Sequence, residues 1–452
     1  MSTSEPAPTV PPARDVPAAR YEVIVIGAGA AGLMAAAAAA HHGARTLLLE
    51  KNRKPGVKIL MSGGTRCNIT QATDNRGIVA AFGRQGQFLH SPLAAFGVED
   101  TLRMFAAEGV PTKVEPTGKV FPVSDKATDV LAALLHRLER SGCELALNEG
   151  VTEVTRVDGA FRLQTAQRTL GAARLVITTG GQSYPGCGTT GEGYHWARGF
   201  GHTIVAPRPA LVPITTHAAW VRALQGVTIA DVAVRVLEST APIGSTDAAD
   251  STDAPAARSS AQQRPLATRR GSFLFTHFGL SGPVVLDVSR VVSGHAQPQR
   301  LVLECDFLPA VPRAQLEQLL RERVASAGKR QLASLLPEEV PKRLAEALVA
   351  VAGLSLERKA AELGAHERSQ LIEALKQVRI PISGTRGFAK AEVTAGGIAL
   401  DEVDSRSMQS KRVPNLFLAG EVLDLDGPIG GYNFQAAWST GHLAGLCAAG
   451  GE

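Results

Sequence analysis

Six residues, Gly27-Ala28-Gly29-Ala30-Ala31-Gly32, stand where a run of β-branched residues gives way to an alanine-rich segment. A glycine at the first position allows a tight turn, and one at the second lets the backbone approach a pyrophosphate. The third lets the following helix pack close to the preceding strand, with the phosphates on the helix N-terminus. Alone, such a run is a weak signal. Here Glu50 stands eighteen residues beyond Gly32, at the end of a second strand-like run, where a carboxylate accepts hydrogen bonds from ribose hydroxyls. The same charge repels a 2′-phosphate, so FAD or NAD fits better than NADP.

The choice between those two rests on the other end of the chain. Asn415–Ala419 reads as a buried strand that ends in Gly420 and Glu421, and an acid there can hold the ribityl hydroxyls of a flavin. Gly430, Gly431, Tyr432 and Asn433 then lead into a helix from about Phe434 to Ala448. Its positive N-terminal end would face a flavin pyrimidine ring and stabilise negative charge there. A simple NAD domain has no use for a second contact site almost four hundred residues away, so the expected cofactor is FAD.

Other motifs carry less. Gly186-Cys187-Gly188-Thr189-Thr190-Gly191 repeats the glycine spacing. However, the preceding strand stops by Thr178, Pro185 fills the gap, and no acid stands 18–20 residues beyond Gly191. It reads as a loop near the FAD, so no independent pyridine-nucleotide domain is expected. The electron donor or acceptor would then be O2, a quinone, a protein partner, or NAD(P)H entering the flavin pocket itself. Cys67 lies beside the expected flavin, but no second cysteine is within local reach, which favours a packed, reduced thiol over a redox disulfide. His277, in a Gly-bounded turn, is the candidate catalytic acid or base; stabilising its turn is the plainer role.

These residues need elements to hold them. Tyr21–Ile26 reads as a buried parallel strand, followed by a helix from about Ala30 to His42 and a strand at Thr46–Leu49, the order of a βαβ unit. Ser124 is the expected N-cap of a helix near Asp125–Arg140. Short strands follow around Glu144–Leu147, Val151–Val157, Phe161–Thr165 and Arg174–Thr178. From about Pro209 the texture changes to short strands, interrupted by Ala241–Thr268, a Ser/Ala/Asp/Pro stretch expected to be a disordered loop. Val311–Lys376 is helical in pattern, and strand-like sequence returns at Val378–Leu400.

The 452 residues carry a formal charge of +5, with 44% apolar and 20% charged residues, an ordinary globular balance. The basic residues are scattered and not interleaved with aromatics, so no nucleic-acid partner is expected. Five cysteines lie far apart with no C-x-x-C pair, which argues against a zinc ribbon and for a reducing compartment. Residues 1–20 lack an apolar segment and read as a disordered tail, not a signal peptide, and no stretch reads as a membrane span. The expected location is cytoplasmic.

Together these features resemble one family, the BaiN/YhiN-type flavoproteins, which include aminoacetone oxidase-like enzymes. The resemblance runs from about Tyr21 to Gly445. It rests on Lys58-Ile59-Leu60-Met61-Ser62-Gly63-Gly64-Thr65-Arg66-Cys67-Asn68, Phe121-Pro122, Thr179-Gly180-Gly181, Thr276 to Pro283, Thr394-Ala395-Gly396-Gly397, and Gly420 through Asn433. Thr65 stands where the family has a third glycine, and Ser272 and Gln409 stand where glutamate is common. The resemblance implies that Lys58, Ser62, Gly63, Arg66 and Asn68 line the pyrophosphate and flavin, with Arg66 offering a charge-assisted fork. It also implies that the Val151 backbone meets the adenine and that Thr179 and Gly180 close the site. The whole expected cofactor-binding set adds Gly27, Gly29, Ala31, Gly32, Glu50, Lys51, Gly420, Glu421, Gly431, Tyr432, Asn433 and Phe434.

The implied fold is α/β: a glutathione-reductase-like, Rossmann-type FAD domain made of 21–208 and 385–452. It is interrupted by a β-barrel-like domain (209–310 and 377–384, with 241–268 as the loop) that carries a helical insert, 311–376. The expected function is an FAD-dependent oxidoreductase acting on a small organic molecule such as an amine or an enone, by hydride transfer to or from flavin N5. A flavin-bearing RNA-modification or redox-sensing binding protein is the alternative. The purified protein should be yellow and release FAD, not FMN, on denaturation; a colourless protein that cannot be reconstituted with FAD would refute this.

Overall fold

A computed structural model describes residues 21–239, 264–326 and 328–450. The tail 1–20 and most of the expected 241–268 loop lie outside the described residues.

The β-branched run Tyr21–Ile26 forms the centre of a parallel sheet because both of its faces are apolar and both are covered. Thr46–Leu49 and then Glu144–Ala146 pair on one side of it, and Thr169–Ile177 on the other. The strand Leu416–Leu418, from the far end of the chain, adds in parallel to Thr169–Ile177 in register Leu416↔Leu175 to Leu418↔Ile177. Antiparallel strands Ala160–Thr165 and Val151–Val157 complete seven strands.

Two helices pack on this sheet and on each other. Ala30–His41 is alanine-rich and buried nearly all round, and Tyr432–Ala448 lies across it. Their approach is set by glycine. A Cβ on Gly441 would lie 2.3 Å from the Ala31 carbonyl oxygen, and one on Gly445 2.1 Å from that of Ala35, closer than any real Cβ contact. The last helix is also tied to early segments by side chains. Trp438 Nε1 donates to the Ile69 carbonyl at 2.9 Å, and Gln435 Oε1 accepts from the Thr70 hydroxyl at 2.7 Å and the Thr101 hydroxyl at 3.1 Å.

A second core surrounds another seven-stranded sheet, in which all pairs are antiparallel. Its order runs Val378–Pro381, Leu301–Asp306, Thr228–Glu238, Ala267–Thr276, Gly279–Ser281, Ile214–Thr215, Gly384–Thr385. Phe273, Phe275 and Phe307 form its aromatic centre. The helices Arg313–Ser326, Lys342–Val351 and Ala365–Lys376 contribute Leu316, Leu320, Leu344, Leu348, Leu371 and Leu375 to this same core. A paired ribbon, Ile204–Ala210 with Val393–Ile398, joins the two halves.

Three details differ from the sequence reading. The strand Ala267–Thr276 already includes Ala267 and Thr268, paired with Val236 and Arg235. The Thr-Arg-Arg sequence at its start is exposed, so no apolar alternation marked it as strand. Ser124 does not cap the helix Ala127–Arg140: Asp125 turns left-handed (φ 55°), and extended Lys126 takes the cap position without a side-chain bond. The helix Pro283–Gly294 falls in a stretch to which the sequence assigns no element; its β-branched valines weaken the helical signal. Replacing Gly445 with Val should force the two long helices apart and cost roughly 3 kcal/mol or more, read as a lower urea midpoint. Unchanged stability would contradict the packing described.

Candidate active site

The carboxyl ends of the parallel strands open into one cleft, enclosing about 2270 Å³ of open space with the solvent at its mouth included. Such crevices are where open α/β sheets bind ligands. The glycine run forms its floor. Gly27 has φ 102°, and a Cβ there would lie 2.9 Å from the Thr178 carbonyl oxygen; one on Gly32 would lie 1.8 Å from the Gly27 carbonyl oxygen. These two glycines are therefore required by protein packing. Gly29 differs: it has φ −83°, and a Cβ there meets nothing within 4 Å. It caps Ala30–His41 with no side-chain hydrogen bond, and no acid sits in the first helical turn. Its space and the helix dipole are thus available to an anion.

Glu50 is buried at the end of its strand. Its Oε2 accepts from the Ala28 N–H at 2.9 Å and its Oε1 from the Asn52 N–H at 2.8 Å, which holds the carboxylate at the edge of the cleft. Beside it, Lys51 pairs with Glu192, and its Nζ lies 3.2 Å from the Thr190 hydroxyl. Asn52 donates to the Cys187 carbonyl at 3.0 Å. The loop carrying Gly186–Gly191 is thereby folded against the strand end, and Cys187, Gly188, Thr189 and Glu192 line the cleft.

The C-terminal residues meet this floor from the opposite side. Lys58 Nζ lies 2.5 Å from Glu421 Oε2 and 2.6 Å from the Ser183 hydroxyl. Glu421 Oε1 accepts from the Ser183 hydroxyl at 2.7 Å and the Thr394 N–H at 2.9 Å. Asn68, in the amide orientation that satisfies both of its ends, accepts from the Gly431 N–H at 3.0 Å and donates to the Thr70 carbonyl at 3.0 Å. Gly431 is left-handed (φ 91°), caps Tyr432–Ala448, and offers no side-chain hydrogen bond. Asn433 bonds back to Gly427 and Pro428, fixing the loop before the helix.

Of the residues expected to bind cofactor, Gly27, Gly29, Ala31, Glu50, Lys51, Lys58, Ser62, Gly63, Arg66, Asn68, Val151, Thr179, Gly180, Gly420, Glu421, Gly431, Asn433 and Phe434 line this one cleft. Gly32 and Tyr432 stand behind the lining. Arg66 is already engaged with Glu115 at 2.6 Å and Asp125 at 3.3 Å, and it lies over the Phe121 ring. His277 stands outside the cleft, exposed in the turn between Ala267–Thr276 and Gly279–Ser281 with its ring edge-on to Phe278. It has no place among these residues, because the turn projects it into solvent. Cys67 is fully buried behind the lining, and burial pushes its thiol up to about 12, with the Ser62 hydroxyl opposing weakly. It stays protonated and inert at neutral pH.

Sequence reasoning missed Lys119, Tyr184, Leu211, Glu392 and Ile429, which also line the cleft. Lys119 lies two residues before the Phe121-Pro122 mark and Glu392 two before Thr394, so proximity to those motifs was the available signal. Two acids at opposite ends of a cleft, an open glycine and two helix N-termini without acidic first turns form a donor set that fits an extended dinucleotide such as FAD. Glu50 would hold its ribose, Gly29 with the helix behind it its pyrophosphate, and Glu421 its ribityl chain.

Comparison with known proteins agrees. A family model described as HI0933-like protein Rossmann domain matches residues 21–447. A ribosomal RNA dihydrouridine synthase of Escherichia coli strain K12 is 35% identical over 421 residues, covering 93% of this chain and 96% of the relative. A 3-dehydro-bile acid delta(4,6)-reductase of Clostridium scindens is 31% identical over 428 residues, covering 94% and 98%. A crystal structure of 3-ketosteroid-delta4-(5alpha)-dehydrogenase from Rhodococcus jostii RHA1 superposes with a TM-score of 0.51 at 16% identity, over 96% of this chain and 98% of that one; it speaks to the fold alone.

Replacing Gly29 with Val should leave a folded, soluble chain whose flavin content falls to background, because the added atoms fill only ligand space. Gly32→Val should not fold. A Gly29→Val protein with normal flavin absorbance would place the pyrophosphate elsewhere.

Proposed function

This chain belongs to the HI0933-like family and is an FAD-dependent oxidoreductase, and from that premise we propose that it reduces a carbon–carbon double bond conjugated to a carbonyl group. The names of the two relatives share that chemistry. A dihydrouridine is a uridine saturated at the bond conjugated to its ring carbonyl, and a 3-dehydro delta(4,6) bile acid carries double bonds conjugated to a 3-oxo group. Bound FAD supplies the electron pair for such a reaction. The chain's task is to hold the cofactor, present the double bond, exclude water and provide a proton.

The observation that carries the reading for a small organic substrate is the wall beyond the dinucleotide cradle. Leu211 and Val393 pack with Leu286 and partly buried Ile429 as a small apolar cluster, and all but Leu286 line the cleft together with Tyr184, Lys119 and Glu392. An apolar surface with a few polar groups suits a hydrophobic enone. The backbone of Ile429 is held there by its N–H, which donates to Asp287 at 2.8 Å.

A second reading, reduction of a uridine within RNA, is favoured by the 35% identity to the dihydrouridine synthase. Phosphate binding needs available cations, and three arginines of the helical segment are engaged within the protein. Arg321 pairs with Glu317, Arg323 donates to the Leu335 and Leu336 carbonyls, and Arg343 donates to the Ala223 and Gln225 carbonyls. The small-molecule reading is therefore preferred.

Dithionite-reduced holoenzyme should be reoxidised anaerobically by a steroid 3-oxo-4,6-diene and not by the corresponding saturated ketone. Rapid reoxidation by unmodified ribosomal RNA alone would select the second reading. Reoxidation by neither would refute the double-bond chemistry.

A further inference from the structure

Reducing a conjugated double bond takes a hydride and a proton, so the cleft must also hold a proton donor. We propose that Glu392 is the catalytic acid that protonates the substrate carbon next to the carbonyl; this rests on the double-bond reading above. Glu392 precedes the strand Val393–Ile398, two residues from Thr394, whose N–H holds Glu421. Its backbone is fixed by donation to the Leu211 carbonyl at 3.1 Å. Its side chain opens into the cleft beside the apolar wall of Leu211, Val393 and Ile429. Among the described residues nothing donates to its carboxylate, in contrast to Glu50 and Glu421, each held by several donors. A carboxyl group aimed into a substrate space and left without a structural partner is available to exchange a proton with what enters.

The surroundings favour the protonated form. Glu392 keeps an exposed face toward the open cleft, while desolvation by the walls around it raises its pKa above the usual carboxylate range; Lys58 and Lys119 oppose the rise, and Asp287, on the helix Pro283–Gly294, adds to it. Tyr184, also on the cleft, feels the charge of Glu392, and burial keeps its phenol protonated. Bound reduced FAD would supply the hydride for the far carbon of the double bond. The Glu392 O–H bond breaks as a C–H bond forms at the near carbon. The carboxylate left behind is reprotonated by water at the cleft mouth, so atoms and charge balance over the cycle.

The acid works in its protonated form, so the substrate half-reaction runs at full rate below the raised pKa of Glu392 and falls as pH climbs through it. The experiment uses purified holoenzyme, wild type, E392Q, E392D and Y184F, each checked for FAD content and reduced with dithionite. Reoxidation by a steroid 3-oxo-4,6-diene is then followed by stopped flow across pH. E392Q should keep its FAD and its reduction by dithionite, slow reoxidation by about 100-fold, and lose the alkaline limb, while E392D recovers part of the rate. Wild-type reoxidation matched by E392Q would overturn the assignment, as would loss of the alkaline limb in Y184F instead. A wild-type enzyme that the dienone does not reoxidise would overturn the double-bond reading, and this assignment falls with it.

Discussion

The helix Tyr432–Ala448 can lie against Ala30–His41 only because Gly441 and Gly445 carry no side chain where the two backbones meet. That contact, between residues some four hundred positions apart, fixes where the end of the chain goes. Leu416–Leu418 then joins the parallel sheet beside Thr169–Ile177, and Glu421 and Gly431 arrive opposite the glycine run. Everything between those two segments can form a separate sheet and core without disturbing the cofactor cleft. The second core, with its helices, hangs from the ribbon of Ile204–Ala210 and Val393–Ile398. That ribbon also delivers Glu392 and Thr394 to the cleft wall.

Charge inside the cleft is organised by the same closure. Glu421 would be a partly buried, unpaired carboxylate if the C-terminal strand stood alone. Lys58, Ser183 and the Thr394 backbone, from three separate parts of the chain, satisfy it. Buried carboxylates are stabilised by such donors and are costly without them. Glu50 is treated alike by the N–H groups of Ala28 and Asn52. Glu392 differs from both: its side chain is exposed to the open cleft, and no donor among the described residues holds it, so it is accessible to what enters.

Much of this was legible in the sequence. The strand Tyr21–Ile26, the glycine run, Glu50 and the Gly420–Gly431 stretch are local signals whose spacing reflects backbone geometry. The strand at Leu416 was equally plain, as an apolar run ending in Gly and an acid. What failed was what depends on tertiary contact. His277 lies within the Thr276–Pro283 motif, yet the fold leaves it exposed and outside the lining of the cleft. The helix Pro283–Gly294 is rich in valine, and its helical state follows from packing on the antiparallel sheet, not from propensity. Lys119, Tyr184 and Glu392 carry no periodic or motif signal of their own; only the folded cleft brings them together.

If segments from both ends of the chain form a single FAD site, adding FAD to apo-protein must change amide hydrogen exchange in both. Protection should rise together in residues 27–32 and in residues 420–434, with the antiparallel sheet around Phe273 and Phe275 unaffected. Protection confined to residues 27–32, with 420–434 exchanging as in the apo-protein, would contradict it.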